Sequence, residues 1–187
     1  MSETEGTRLT MPVGPRDHVQ GAKDAVVTLV EYGDYECPHC GRAYTIVKDI
    51  QKQLGPRLRF VFRNFPLKEI HSHAQHAAEA AEAAATKGYF WQMHDLLFEH
   101  QRALLDRHLA EYAAQIGLDP ARFLQELSEH THAVRVHEDF ASGVRSGVNG
   151  TPTFFINGLR HDGSWDFESL LEALETAAVG SGSVAHR

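Results

Sequence analysis

Cysteine is nearly absent from this chain, with two residues among 187. That excludes a disulfide scaffold, and it excludes a four-cysteine zinc site within one chain. A zinc site would need two more ligands from the carboxylates or from the thirteen histidines. Long apolar runs are missing too. None approaches the roughly 18 residues of a membrane-spanning helix, so no membrane insertion is expected. There is no basic excess: 18 Lys and Arg stand against 25 Asp and Glu, a formal net charge of −7. Nucleic-acid binding draws on a basic stripe that neutralises phosphates, so nucleic acid is not an expected partner. Met1 to Pro12 is polar and lacks the apolar centre of a secretory signal. A cytoplasmic location is the expectation, with a periplasmic or other extracytoplasmic one as the alternative if a leader has been trimmed away.

What is present suits a globular chain. The apolar fraction of 42% is ordinary, and the length fits one domain or one domain with an insertion. Residues 1–22 carry Gly, Pro and charge without periodicity and read as an arm, with room for a short strand near its end. Ala25 to Tyr32 (AVVTLVEY) is a β-branched apolar run that suits a strand buried on both faces. After Cys40, residues Ala43, Ile46, Val47, Ile50 and Leu54 share one helix face, and Gly55-Pro56 stops that helix. Leu58 to Asn64 (LRFVFRN) alternates, which predicts a second strand with Arg59, Val61 and Arg63 on the face opposite Leu58, Phe60 and Phe62. Strand, helix, strand is a βαβ unit, and Cys37 lies at its strand-to-helix junction.

From Phe65 to Pro152 the pattern turns helical. Ser72 and Gln75 predict a capping box for an alanine-rich helix that Gly88 ends. The aromatic cluster from Tyr89 to Phe98 reads as a deeply packed helix rather than a cofactor pocket. Further helices fit 107–116, Pro120–Leu127 with Asp119 as N-cap, and 133–146. His73 and His76 would share a face, yet without a carboxylate pattern they read as cap and surface residues, so no metal is expected. Strands return at Thr153 to Ile156 and Leu159 to His161, joined by an Asn157-Gly158 turn. Phe167, Leu170, Leu171, Leu174 and Ala178 face one side of a last helix capped by Asp166. The chain thus divides into the arm at 1–22, a folded domain at 23–178 with a helical insertion at about 66–148, and a disordered tail at 179–187.

The two cysteines are the chemically informative residues. They lie in Cys37-Pro38-His39-Cys40, a spacing open to zinc, a structural bridge or redox turnover. A cysteine at a helix N-terminus faces unpaired backbone N–H groups and the positive end of the helix dipole. Both favour the thiolate, and cysteines in such sites titrate between about 3.5 and 7.5 instead of about 8.5. A stabilised thiolate stabilises the reduced pair, which makes the disulfide a better oxidant. By position, Cys37 is expected to be the exposed nucleophile and Cys40 the resolving partner. Pro38 fits the first helical turn, where its missing N–H costs nothing, and His39 can supply a hydrogen bond or a charge to the Cys37 sulfur.

Glu31-Tyr-Gly-Asp-Tyr-Glu-Cys-Pro-His-Cys-Gly41 resembles the active-site segment of the DsbA-type thiol-disulfide oxidoreductases of the thioredoxin superfamily. Gly150-Thr151-Pro152-Thr153-Phe-Phe-Ile-Asn-Gly158 resembles the superfamily's cis-proline loop, and Asn64-Phe-Pro-Leu67 and Gly88-Tyr-Phe-Trp91 are similar to DsbA segments. The resemblance covers residues 17 to 178. It implies an α/β thioredoxin fold, with a mixed central sheet and a helical insertion. It implies a cis bond before Pro152, with the Thr151 backbone pairing to an extended substrate segment. It also implies that Glu31 is a buried acid able to shuttle the proton of Cys40, with Arg59 and Arg63 as candidates for a cationic partner. Protein or peptide dithiols and disulfides would be the substrates. No cofactor is implied, but a recycling partner, either a protein or a small thiol, would be needed because no second C-x-x-C exists. A non-catalytic peptide-binding or holdase module on the same fold is the alternative.

Overall fold

The computed structural model describes residues 7–182. Its elements in chain order are β1 (His18–Gln20), β2 (Val27–Gly33), α1 (Pro38–Leu54), β3 (Leu58–Asn64), α2 (Ala74–Ala85), α3 (Phe90–Glu99), α4 (Asp106–Gln115), α5 (Pro120–Ser128), α6 (Ala133–Arg145), β4 (Thr153–Ile156), β5 (Leu159–His161) and α7 (Phe167–Gly182). A βαβ unit, a helical block and a returning β-hairpin with a last helix make the mixed α/β architecture with a helical insertion that the resemblance implies. The residues fall into two units. Among the described residues, the first holds 7–32, Arg42–Arg63 and 142–182; the second holds Gly33–Gly41 and Asn64–Ala141. The boundaries differ from the expected 66–148 insertion, because the cysteine segment groups with the helical block and the end of α6 groups with the sheet.

The first unit is built on a five-stranded sheet in the order β1-β3-β2-β4-β5. Every residue of β2 is buried, as its β-branched composition demands. β4 runs antiparallel to β2, with Leu29 opposite Ile156, Glu31 opposite Phe154 and Tyr32 opposite Thr153. β5 returns through Asn157 and Gly158, both at positive φ (47° and 82°), the conformation that an Asn-Gly hairpin turn requires. Leu29, Val61, Phe62, Ile50, Phe155, Leu170 and Leu174 are almost wholly buried in this unit.

β3 departs from the predicted alternation. Arg63 is buried along with the apolar positions. The physical reason is the N-terminal arm. Arg63 donates to both carboxylate oxygens of Asp17 (2.8 and 3.0 Å), to the carbonyls of Met11 and Pro12, and to the Tyr32 hydroxyl. The arm also supplies β1, which pairs antiparallel with β3. At the other end, α7 runs to Gly182 rather than stopping near Ala178, so its last turn occupies part of the expected tail. The rest of that tail, 183–187, and the first six residues of the arm lie outside the described residues.

In the second unit, α2 packs against α3, and its alanines Ala77, Ala80, Ala81 and Ala84 are buried. The predicted capping box does not form. His73 occupies the N-cap position and helix α2 starts at Ala74. The Ser72 hydroxyl instead bonds the His73 ring. The His73 N–H donates to Glu36, 37 residues earlier, so a tertiary partner satisfies the helix entrance.

Candidate active site around Cys37 and Cys40

The site begins with a tight turn. The Cys37 N–H donates to the Asp34 carbonyl at 3.1 Å, and the Gly41 N–H donates to the Cys37 carbonyl at 3.1 Å. Because α1 starts at Pro38, Cys37 is its N-cap, Pro38 its first residue and Cys40 its third. Proline suits that first position, where no backbone donor is lost and φ is already helical. Both cysteines are in the reduced thiol form, at the positive end of a 17-residue helix. The Cys40 sulfur is fully buried and accepts from the Asp34 N–H at 3.4 Å.

Cys37 is not the exposed residue its position predicts. Only 4% of it is accessible, whereas its neighbours Pro38 and His39 are exposed. The cap position explains this: Cys37 closes the Asp34 turn rather than standing on the outer face of the first helical turn. Gln101, just beyond α3, fixes the same turn from outside the motif. Its Nε2 donates to the carbonyls of Tyr35 and Cys37, both at 2.8 Å. Tyr35 is held by its hydroxyl on His94 Nδ1 (3.0 Å) and by its ring against Phe98.

Asp34, Glu36 and His71 join the site from outside the sequence candidates, together with His73, which the sequence places at a helix cap. The buried Asp34 carboxylate accepts from the Glu36 N–H (2.8 Å), the Leu67 N–H (2.9 Å) and His71 Nδ1 (2.7 Å). Glu36 accepts from the His73 N–H and from His73 Nδ1. Two acid–histidine pairs thus tie the segment before Cys37 to the connector before α2. Burial alone would push the His71 imidazole down, but the Asp34 hydrogen bond and charge outweigh it, and Cys37 and Glu36 add to them; its pKa is raised. The sequence signals for this network are Asp34, a turn-forming residue three positions before Cys37, and the cap position of His73.

Glu31, Arg59, Arg63, Thr151 and Pro152 lie in the first unit. Glu31 is a buried acid in β2, 2% exposed. Neither cationic candidate pairs with it: Arg63 is committed to Asp17, and Arg59 donates to Thr28 Oγ1 and the Lys23 carbonyl. Thr151 and Pro152 precede β4 at the sheet end where β2 finishes. The bond between them is cis, and the Thr153 hydroxyl braces the loop by donating to the Gly150 carbonyl. His73 and His76 do not converge, since they bond Glu36 and Asp106 respectively. Among the described residues no group of three or more His, Cys, Asp or Glu could hold a metal.

The thioredoxin family model matches residues 14–176. The chain belongs to that family, and its structural neighbours are DsbA-family thiol-disulfide oxidoreductases. The crystal structure of oxidised BdbD from Bacillus subtilis is similar at a TM-score of 0.83 and 25% identity, covering 95% of this chain and 100% of that one. A thioredoxin-like oxidoreductase from Silicibacter pomeroyi DSS-3 is similar at 0.76 and 28%, covering 88% and 93%. Among curated relatives, Na(+)/H(+) antiporter NhaA 1 of Salinispora arenicola (strain CNS-205) is 48% identical over 174 residues. That match takes in 92% of this chain but 26% of the antiporter, so the chain spans about a quarter of that relative's length.

Proposed function

We propose that the chain is a protein thiol-disulfide oxidoreductase that exchanges disulfides through Cys37 and Cys40. The observation that carries this is the placement of both sulfurs at the α1 N-terminus, with a backbone N–H directed at Cys40. In the reducing direction, the Cys37 thiolate attacks one sulfur of a substrate disulfide. A Cys37–substrate disulfide forms, and the other substrate sulfur leaves as a thiolate that takes up a proton. Cys40, having given up its proton, then attacks the Cys37 sulfur. The Cys37–Cys40 bond forms and the second substrate sulfur leaves. The substrate has gained two electrons and two protons, which the pair has lost; the reverse sequence oxidises a substrate dithiol. Of the two, Cys37 keeps some accessible surface and Cys40 keeps none, which supports the attacking and resolving roles.

His39 and Pro38 belong to this chemistry by position. Glu31 is assigned the proton of Cys40 because it is a buried carboxylate, and Thr151 and Pro152 are assigned to substrate binding; these three roles rest on the family resemblance. Substrates are protein or peptide dithiols and disulfides, and recycling falls to another protein or a small thiol. The compartment sets the resting state: dithiol in a reducing cytoplasm, disulfide in an oxidising space. The cation exchange named for the curated relatives is not proposed here. No helix among the described residues is long and apolar enough to cross a membrane, and three quarters of such a relative lies beyond the match.

Insulin reduction by dithiothreitol and oxidative refolding of a reduced substrate test the reading. The wild-type chain should accelerate one or both, and Cys37→Ala should abolish the effect. Activity unchanged in Cys37→Ala would point to the peptide-binding module instead.

A further inference from the structure

Asp34 links two groups that the C-P-H-C motif does not itself connect. Its amide donates to the Cys40 sulfur, while its carboxylate, with the side chain fully buried, holds His71 Nδ1 at 2.7 Å. His71 is anchored from the other side as well, by its own N–H on the Leu67 carbonyl. Its side chain is 18% exposed, so its field is only partly screened by water. The charged and titratable groups facing it are Asp34, Glu36 and Cys37, with His73 paired to Glu36 on the same connector. Cys37 and His71 are both bonded to Asp34, Cys37 by its N–H on the Asp34 carbonyl at 3.1 Å and His71 by its ring on the carboxylate, so a thiolate at Cys37 would act on the imidazole in the same sense as the carboxylates. Electrostatic coupling between two sites is reciprocal, so the imidazolium must favour the Cys37 thiolate to the same extent.

We propose that His71, held by Asp34, is a positioning residue for thiol chemistry: its imidazolium is a second cation, supplied from outside the motif, that stabilises the Cys37 thiolate and with it the reduced pair. This rests on the oxidoreductase reading above. It divides the tuning of Cys37 between the motif's own His39 and a residue on the connector before α2. It also gives Asp34 and Glu36 a consistent part. Two carboxylates beside a thiolate would oppose it, and the two histidines they hold offset that opposition.

His71→Gln removes the charge while keeping a side-chain donor for Asp34. In the reduced protein, thiolate absorbance at 240 nm should titrate at higher pH in this variant, lowering the thiolate fraction on the acid side by about threefold to tenfold. The exchange of protein disulfide and two glutathione thiols for protein dithiol and glutathione disulfide should move toward the oxidised protein. Thiolate titrations that superimpose in wild type and variant would overturn the proposal, even if the variant were less stable, because a purely structural role leaves Cys37 acidity unchanged. If His71→Gln does not fold, the wild-type protein decides. Followed by NMR, the His71 ring should titrate at lower pH in the oxidised protein, where the thiolate is gone, than in the reduced one. Equal midpoints would overturn the proposal. A wild-type protein that failed to exchange with glutathione would count against the oxidoreductase reading alone, since the thiolate titration tests His71 independently.

Discussion

Gly41→Ala should change sign with the identity of residue 101. Gly41 is the fourth residue of α1, and its backbone is one that alanine adopts without strain. At an unobstructed helical site this exchange stabilises by about 0.8–1 kcal/mol, because glycine gives up more backbone freedom on folding. Here a Cβ would collide with Gln101 Oε1 and lie 2.7 Å from its Cδ, so the amide must swing away. The swing itself is cheap for a flexible side chain. What it breaks are the two 2.8 Å bonds from Gln101 Nε2 to the carbonyls of Tyr35 and Cys37. At about 0.5–1.5 kcal/mol each, their loss totals about 1–3 kcal/mol and outweighs the propensity gain across most of that range. Gly41→Ala should therefore destabilise the wild type by up to about 2 kcal/mol, yet stabilise Gln101→Ala by about 0.8–1 kcal/mol. Urea unfolding of the four proteins gives the coupling directly, with each difference taken at constant m-value. Equal effects of Gly41→Ala in both backgrounds would refute the clamp.

Arg63→Ala should cost about 3–5 kcal/mol in the same assay, because it strands the Asp17 carboxylate, which is only 8% exposed, and releases the arm carbonyls. A loss below about 1 kcal/mol would mean the arm contributes little. Stability should also fall as pH rises above about 6.5, the ordinary histidine value. His71 has a raised native pKa, so its contribution is complete below the unfolded value and is lost as pH climbs through the native one. His71→Gln should flatten that limb, and an identical pH slope in the variant would contradict the assignment.

What could be read from sequence was carried by local signals. The Asn157-Gly158 turn, the stop at Gly55-Pro56, the Asp119 N-cap and Pro38 at the head of α1 all depend on residues within four positions of each other, and each stands where expected. What could not be read depends on partners far apart in the chain. Ser72 had the spacing of a cap, but Glu36 supplies the bond. Arg63 looked like the outer face of an alternating strand, but Asp17, 46 residues earlier, buries it. The Asp34–His71 pair spans 37 residues and the Gln101 clamp 64 and 66, beyond any helical or strand period. The cysteine pair was legible as a motif, whereas its near-complete burial follows from the Asp34 turn, which periodicity does not encode.

Equilibration in glutathione buffers of stepped composition, followed by rapid thiol alkylation and mass measurement, tests most directly the claim that Cys37 and Cys40 are one redox unit. The expected result is a single transition between a doubly alkylated protein and one carrying an internal Cys37–Cys40 disulfide, with a two-electron dependence on the glutathione ratio. A protein that stays doubly alkylated throughout, or gains only glutathione adducts and never the internal bond, would contradict it.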